Sequence, residues 1–369
     1  MNVQMATGNS PSTMSQALTF SHVSDQPGQY LHAKQYETPS PGKNEVLVRM
    51  LMAPINPLDV MVLAGKYPVK PANHVGDDAI PGYDGVAEIL QCGEGVEELK
   101  IGEWVIPKQH GLGTWRTHAV FQEDSLLKVS SAVDPKFAAT LRMCVAPAYL
   151  LLEDMKQLKP GDWIIQNAAS GIVAQMVSQF ARLKGVQTIS IIRDRADPQS
   201  SEERKRQLLH LGADLVLTES ELAASEPLSK SRRITLALDS VFGAQAAILA
   251  GHLSPNGLFV NYGSLGGGSG SFGLSQDLLF WKQLTFRNFR LSACMGTRSE
   301  AEIRDMMVWF VDLFERGALK AADVDTVLWH SNVAKTATDD IGVHLVQALV
   351  RTGASGVGEA KKQLFQFRY

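Results

Sequence analysis

The sequence predicts an α/β protein of two domains, a doubly wound parallel sheet inserted into a mostly-β domain built from both chain ends. Three observations carry this. Before Asp134 the chain reads as short strands between Gly- and Pro-rich turns. From Trp163 onward, short apolar strands alternate with segments of helical period. Near the end, Lys362-Gln363-Leu364-Phe365-Gln366-Phe367 looks like a closing strand. A chain of 369 residues also exceeds one ordinary core. The expected boundaries are 1–145, 146–294 and 295–369, with residues to about Ser15 disordered.

In the first part, Glu45 to Leu51 alternates as a strand entered through the turn Pro41-Gly42-Lys43-Asn44. The polar break at Asn56-Pro57-Leu58-Asp59 opens a short helix ending near Gly65, and Lys66-Tyr67-Pro68 follows in a loop. Pro81-Gly82-Tyr83-Asp84-Gly85 leads into a strand from Val86 to Leu90, and Leu99 to Ile106 leads into another. Ala138 to Met155 is apolar at helical spacing. In the second part, strands are expected at Asp214–Leu217, Thr235–Asp239, Leu258–Gly263 and Leu284–Leu291, with an amphipathic helix from Glu300 to Arg316.

The most informative stretch runs from Trp163 to Arg195. The apolar Trp163-Ile164-Ile165 enters a small-residue turn, Ala168-Ala169-Ser170-Gly171. Apolar residues then recur at helical spacing (Val173, Val177, Phe180, Ala181) until Gly185 closes the helix. Such a strand–turn–helix lets backbone approach a pyrophosphate and offers it the unpaired N–H groups of a helix start. Only Gly171 is a glycine in the turn, so by itself the motif also fits any strand–helix junction. The end of the next strand adds to it. Ile191-Ile192 runs into Arg193, with Arg195 two residues on, where an acid would accept a ribose hydroxyl in an NAD site. A guanidinium there pairs with a 2′-phosphate, which favours NADP over a plain solvated arginine.

A hydrophobic fraction of 45%, a charged fraction of 20% and a net charge of -3 give no sign of nucleic acid or a membrane surface as partner. No apolar run is long enough to span a bilayer. The three cysteines are far apart and suggest a reducing compartment. Residues 1–33 contain neither Lys nor Arg, so neither a secretory nor a mitochondrial leader is expected there, and the composition points to the cytosol.

The order of these features resembles the medium-chain dehydrogenase/reductase superfamily, with its GroES-like catalytic domain and Rossmann cofactor domain. Its zinc branch needs cysteine and histidine ligands where this chain has Asn56 and Gly82-Tyr83-Asp84, so no metal is expected. The chain is more similar to the zinc-independent 2-enoyl thioester reductase group. Asn56-Pro57-Leu58-Asp59, Gly65-Lys66-Tyr67-Pro68, Gly111-Leu112-Gly113-Thr114-Trp115-Arg116-Thr117, Ile165-Gln166-Asn167-Ala168, Ile192-Arg193-Asp194-Arg195, Tyr262-Gly263 and Lys362-Gln363-Leu364 carry the likeness. It implies NADPH-dependent reduction of a trans-2-enoyl thioester, with hydride going to the β-carbon and Tyr67 as donor to the thioester oxygen. A phenol of pKa about 10 stays protonated at neutral pH and suits that role.

The resemblance also places the cofactor contacts. Ser170, Gly171, Ile172 and Val173 fall on the pyrophosphate turn, and Arg193, Asp194 and Arg195 on the 2′-phosphate pocket. Tyr262, Gly263, Ser264 and Leu265 fall near the nicotinamide, and Lys362 matches a lysine near the C-terminus. Family habit further implies a homodimer and, against the composition, a mitochondrial location. Cys144, Phe289, Arg290 and Leu291 also count among the cofactor contacts, and departures from the family cluster there, where substrate and nicotinamide meet. Cys144-Val145 replaces the family's Asn-Pro, and Phe289-Arg290-Leu291 replaces Phe-Trp-Leu, placing a cation where a tryptophan lines the substrate site. Two alternatives therefore stand beside the enoyl thioester: a reductase of free enones or quinones, and a non-catalytic NADPH-binding partner subunit. The glycine run Gly266 to Gly270 reads as a mobile lid or a plain loop.

Overall fold

The computed structural model describes residues 14–26, 30–266, 270–330 and 362–369. They divide into two compact units. One holds 14–128, 326–330 and 365–369, and the other 129–325 and 362–364. Residues 267–269, within the expected lid, lie outside the described residues.

The first unit is almost all β. Its strands are β1 (Met14–Phe20), β2 (Leu31–Glu37), β3 (Glu45–Pro54), β4 (His74–Val75), β5 (Asp78–Ala79), β6 (Val86–Cys92), β7 (Trp104–Pro107), β8 (His118–Gln122) and β9 (Leu126–Val129). Two later strands join them, β16 (Val324–His330) and β17 (Lys362–Arg368). One sheet runs β2-β1-β5-β4; the other runs β16-β17-β3-β6-β7-β9, with β8 also paired to β3. The expected closing strand is thus β17, seated on β3. Its Phe365 ring meets Trp115 and Trp329 edge-on, at 5.3 and 5.6 Å, and all three are fully buried. The expected disordered start falls on residues 1–13, which lie outside the described residues, except for Met14 and Ser15, which begin β1, with Ser15 fully buried. Pairing to β2, from Met14 opposite Glu37 to Phe20 opposite Leu31, outweighs the polar composition there.

The sole α-helix among this unit's described residues, α1 (Pro57–Leu63), starts where the Pro at N1 needs no N–H partner. Asp59 is fully buried. One of its carboxylate oxygens accepts the Asn56 N–H at 2.7 Å, and the other accepts the Tyr83 N–H at 3.1 Å. So one buried acid ties the helix start to the Pro81–Gly85 turn.

The second unit is a six-stranded, all-parallel sheet. Its strands are β10 (Trp163–Gln166), β11 (Gln187–Ile192), β12 (Leu215–Thr218), β13 (Ile234–Asp239), β14 (Leu258–Asn261) and β15 (Thr285–Asn288), in the order β12-β11-β10-β13-β14-β15. Winding direction reverses between β10 and β13, where ligand crevices form in such sheets. The helices are α2 (Pro135–Ala138), α3 (Ala146–Glu153), α4 (Ile172–Leu183), α5 (Pro198–His210), α6 (Glu219–Ala224), α7 (Ala244–Gly251), α8 (Leu291–Gly296) and α9 (Glu300–Glu315). Phe180 on α4 lies 5.6 Å from Tyr149 on α3 and 5.5 Å from Phe310 on α9, fixing α4 against its neighbours.

Two expectations need correction. The apolar run from Ala138 to Met155 is not one helix, because a π-turn at Leu141–Val145 separates α2 from α3. The strand expected from Leu284 to Leu291 is only Thr285–Asn288; Arg290 caps α8, which starts at Leu291.

The Pro81–Gly85 turn admits no side chain at Gly82. Its φ is +95°, and an added Cβ would stand 2.4 Å from the Trp115 ring and 2.8 Å from the Trp115 backbone nitrogen. Gly82→Ala is expected to destabilise the first unit by about 3 kcal/mol or more, combining a left-handed backbone with a backbone clash. Urea unfolding followed by tryptophan fluorescence checks this, and an unchanged midpoint would contradict it.

Candidate active site

In the first unit, Tyr67 sits on the segment after α1 and is half-buried. Its ring lies 6.2 Å from both Tyr83 and His110, and those two lie 6.0 Å apart, so three aromatic rings form one cluster. Tyr83 is fully buried and donates its hydroxyl to the Val69 carbonyl at 2.7 Å. Burial, then the charges of Asp59 and Tyr67, pushes the Tyr83 phenol well above its ordinary value. The Gly111–Thr117 stretch backs this turn. Thr114 donates its N–H to the Gly82 carbonyl and its hydroxyl to the Asp84 carbonyl, at 2.9 and 2.6 Å. Trp115 donates its backbone N–H to Pro81 and its indole N–H to Pro54.

In the second unit, the remaining expected residues fall mainly at the C-terminal ends of the parallel strands. Ser170 and Gly171 are exposed just before α4, and Ile172 and Val173 are its first two residues. Ala168 takes a left-handed φ of 48°, and the Gly171 N–H bonds back to its carbonyl at 2.8 Å. No side chain caps α4. The Gln175 amide donates to the Ser170 carbonyl at 2.7 Å, while its own oxygen is buried with no hydrogen-bond partner. The helix start thus leaves N–H groups to an anion and fits a pyrophosphate.

Arg193 is exposed at the end of β11, and the Arg195 guanidinium donates to the Ser200 hydroxyl at 2.6 Å. Asp194 braces the fold instead, accepting the Ser220 N–H at 3.1 Å in the first turn of α6. Burial works to raise its carboxyl, but hydrogen bonds from Ser220 and Thr218 prevail and hold it below the usual range. Glu219 is the opposite case, with burial and then the Asp194 charge raising its carboxyl. Two exposed or half-exposed cations at this strand end fit a phosphate better than a ribose hydroxyl pair.

After β14, Tyr262 is half-buried, and burial pushes its phenol up to about 12. Gly263 has no room for a Cβ, which would stand 2.9 Å from the Ser240 carbonyl. Ser264 and Leu265 are exposed, and the Leu265 N–H bonds to the Ser240 carbonyl at 2.9 Å. Phe289 is buried, its N–H on the Asn261 carbonyl at 2.8 Å, while Arg290 is exposed. Cys144 is buried within the π-turn, a backbone irregularity that often marks functional sites. Lys362 opens β17.

Sequence reasoning missed what fixes these strand ends. The fully buried Asp239 carboxylate accepts the Asn167 and Asn261 side-chain amides at 2.5 and 2.9 Å. It also accepts the backbone N–H groups of Val241 and Phe242 at 3.2 and 3.0 Å. The Asn167 side-chain oxygen, Oδ1, in turn accepts the Ser240 N–H at 2.9 Å. One acid therefore locks the ends of β10, β13 and β14 together. The readable signal was a polar residue closing each of three apolar strands.

Residues 42–131 match the alcohol dehydrogenase GroES-like domain. Over 308 residues the chain is 37% identical to the mitochondrial enoyl-[acyl-carrier-protein] reductase of Rattus norvegicus, covering 83% of this chain and 80% of that protein. The Arabidopsis thaliana protein of the same name is 36% identical over 281 residues, 75% and 72% of the two chains. The chain belongs to the zinc-independent enoyl thioester reductase family. Among solved structures, the mitochondrial 2-enoyl thioester reductase Etr1p/Etr2p heterodimer from Candida tropicalis is similar, with a TM-score of 0.84 at 27% identity over 96% of this chain and 99% of that one. A structure of Etr1p with NADP and crotonyl-CoA is similar too, at 0.83 and 27%, with the same coverage. A quinone reductase fold from Bacillus thuringiensis, at 22% identity and 0.77, shares the architecture.

Every group around the Asp239 carboxylate is a donor. Asp239→Asn would turn an amide NH₂ toward other N–H groups, leaving buried donors unpaired. A loss of about 2 to 3 kcal/mol in stability of the second unit is expected, with weaker cofactor binding. Thermal unfolding with and without NADPH measures both; a variant as stable as the parent would show that the carboxylate is replaceable.

Proposed function

We propose that this chain is an NADPH-dependent reductase of trans-2-enoyl thioesters, with Tyr67 as the donor to the thioester oxygen. Family membership, at 37% identity across 83% of the chain, is the observation that carries it. NADPH, when bound, supplies a hydride to the β-carbon of the alkene. The first turn of α4 would hold the pyrophosphate through its N–H groups, and Arg193 with Arg195 would take the 2′-phosphate. Tyr262 and Gly263 would border the nicotinamide at the end of β14. As the β-carbon accepts hydride, negative charge develops on the thioester oxygen. The Tyr67 hydroxyl donates to that oxygen and lowers the barrier most where the charge is greatest.

The departures at Cys144 and Arg290 concern which acyl group is accepted, and we assign them to substrate choice. The exposed Arg290 suits an acceptor with an anionic or strongly polar portion. Pairing of two copies and a mitochondrial location, the compartment named for the relatives, complete the proposal.

NADPH consumption with a medium-length trans-2-enoyl-CoA tests the reading, with a free enone and a quinone in parallel. Turnover of the thioester is expected to dominate; turnover of only the other acceptors, or of none, would overturn it. Tyr67→Phe is expected to lower kcat on the order of 10²-fold, the usual effect of losing one oxyanion donor. An unchanged rate would remove Tyr67 from the chemistry. Arg193→Ala is expected to weaken NADPH binding by about 1.5 to 3 kcal/mol and to leave NADH binding unchanged, as fluorescence titration of each would show. Equal losses for both would sink the phosphate assignment.

A further inference from the structure

Tyr83 occupies a special place in the first unit, and the residues around it in sequence give it no role beyond the absence of a zinc ligand. We propose that Tyr83 is a positioning residue for Tyr67: its hydroxyl clamps the segment that carries Tyr67, and its ring sets the angle of the Tyr67 ring. This rests on the donor role proposed for Tyr67 and goes beyond it, since Tyr83 is not proposed to touch substrate.

The geometry is specific. Tyr67 lies on a stretch that leaves α1 at Leu63 and runs through residues exposed on both sides of it, Lys66 and Pro68. The Tyr83 hydroxyl reaches the Val69 carbonyl at 2.7 Å, two residues beyond Tyr67. The Tyr83 ring meets Tyr67 edge-on, with an interplanar angle of 70°, and meets His110 at 75°. Helix α1 holds the near side of the segment, since the Gly65 N–H bonds to Val62 and the Lys66 N–H to Met61, at 3.0 and 2.8 Å. Tyr83 supplies the far side.

Tyr83 is itself anchored more firmly than the segment it holds. It is fully buried, and its N–H is taken by the buried Asp59 carboxylate. The glycine ahead of it admits no side chain, and the carbonyls of Gly82 and Asp84 on either side are both held by Thr114. A fixed donor acting on an exposed segment is the arrangement that orients a reacting group through a supporting hydrogen bond. Because burial and the nearby Asp59 hold its phenol protonated, the donation persists across the working pH range.

A double-mutant cycle tests this. Tyr83→Phe keeps the ring and removes the hydroxyl. It is expected to lower kcat about tenfold with KM for the enoyl-CoA nearly unchanged, because only alignment in the transition state suffers. In the Tyr67→Phe background, the same change is expected to alter kcat by less than about twofold, because its effect runs through a hydroxyl already gone. Amide exchange over residues 66–70 is expected to quicken in Tyr83→Phe, while the melting temperature moves little. Losses that multiply in the double variant would overturn the proposal and leave the donor role of Tyr67 standing. An unchanged kcat in Tyr67→Phe alone would overturn both, through a separate measurement. If Tyr83→Phe fails to fold, replacing the Val69–Lys70 amide by an ester tests the clamp from the other side, since an ester carbonyl is a weaker acceptor for the Tyr83 hydroxyl; a fall in kcat is expected. A change in kcat that survives in the Tyr67→Phe background would again refute it.

Discussion

A single carboxylate, Asp239, accepts hydrogen bonds from two asparagine side chains and two backbone N–H groups at the C-terminal edge of the parallel sheet. A buried charge is costly unless it is met by donors, and here donors arrive from the ends of three strands. The strands bring apolar faces together, but apolar packing alone does not fix where a turn begins. Asp239 does, because each donor must arrive at hydrogen-bond distance. The turn after β10, the loop after β13 and the loop after β14 are therefore set relative to one another. These are the places from which a dinucleotide would be held.

The first unit solves the same problem with the same chemistry. Asp59 accepts the N–H groups of Asn56 and Tyr83, joining a helix start to a distant turn. In both units an acid that composition would class as surface-prone is fully buried and acts as a backbone receiver. Neither acid needs to meet substrate to matter. Each fixes the backbone of the turns around it.

How much could be read from the residues follows from how local each feature is. The strand–turn–helix at Trp163–Gly185 is contiguous, and its β10, α4 and β11 lie where the apolar spacing put them. Arg193 at the end of β11 was legible for the same reason. The π-turn around Cys144 was not, because an apolar run has the same composition whether its hydrogen bonds span four residues or five. Met14 and Ser15 looked unstructured because their partner strand, β2, cannot be recognised from their own composition. The Asp239 cluster joins Asn167, Asp239 and Asn261, which no window of sequence holds together. Tyr83 stood out only as the lack of a zinc ligand; its bond to Val69 exists only once the turn and the loop meet. The family likeness identified the chemistry class early, but the residues that organise the site came from the structure.

The pairing of β17 with β3 has a consequence for how the chain is made. Residues 129–325 of the second unit form one continuous stretch, which can collapse as it leaves the ribosome. The first unit is begun early, yet its sheet stays open at β3 until residues 362–368 have been synthesised. At ordinary translation rates, that leaves it waiting roughly 10 to 50 seconds after residue 128 emerges. Through that interval only the part of β3 beyond Arg49, where β8 no longer pairs with it, lacks a neighbour on one side, a short surface that invites chaperone capture or a wrong strand. Nested topology thus makes the first part to be translated the last part to be finished.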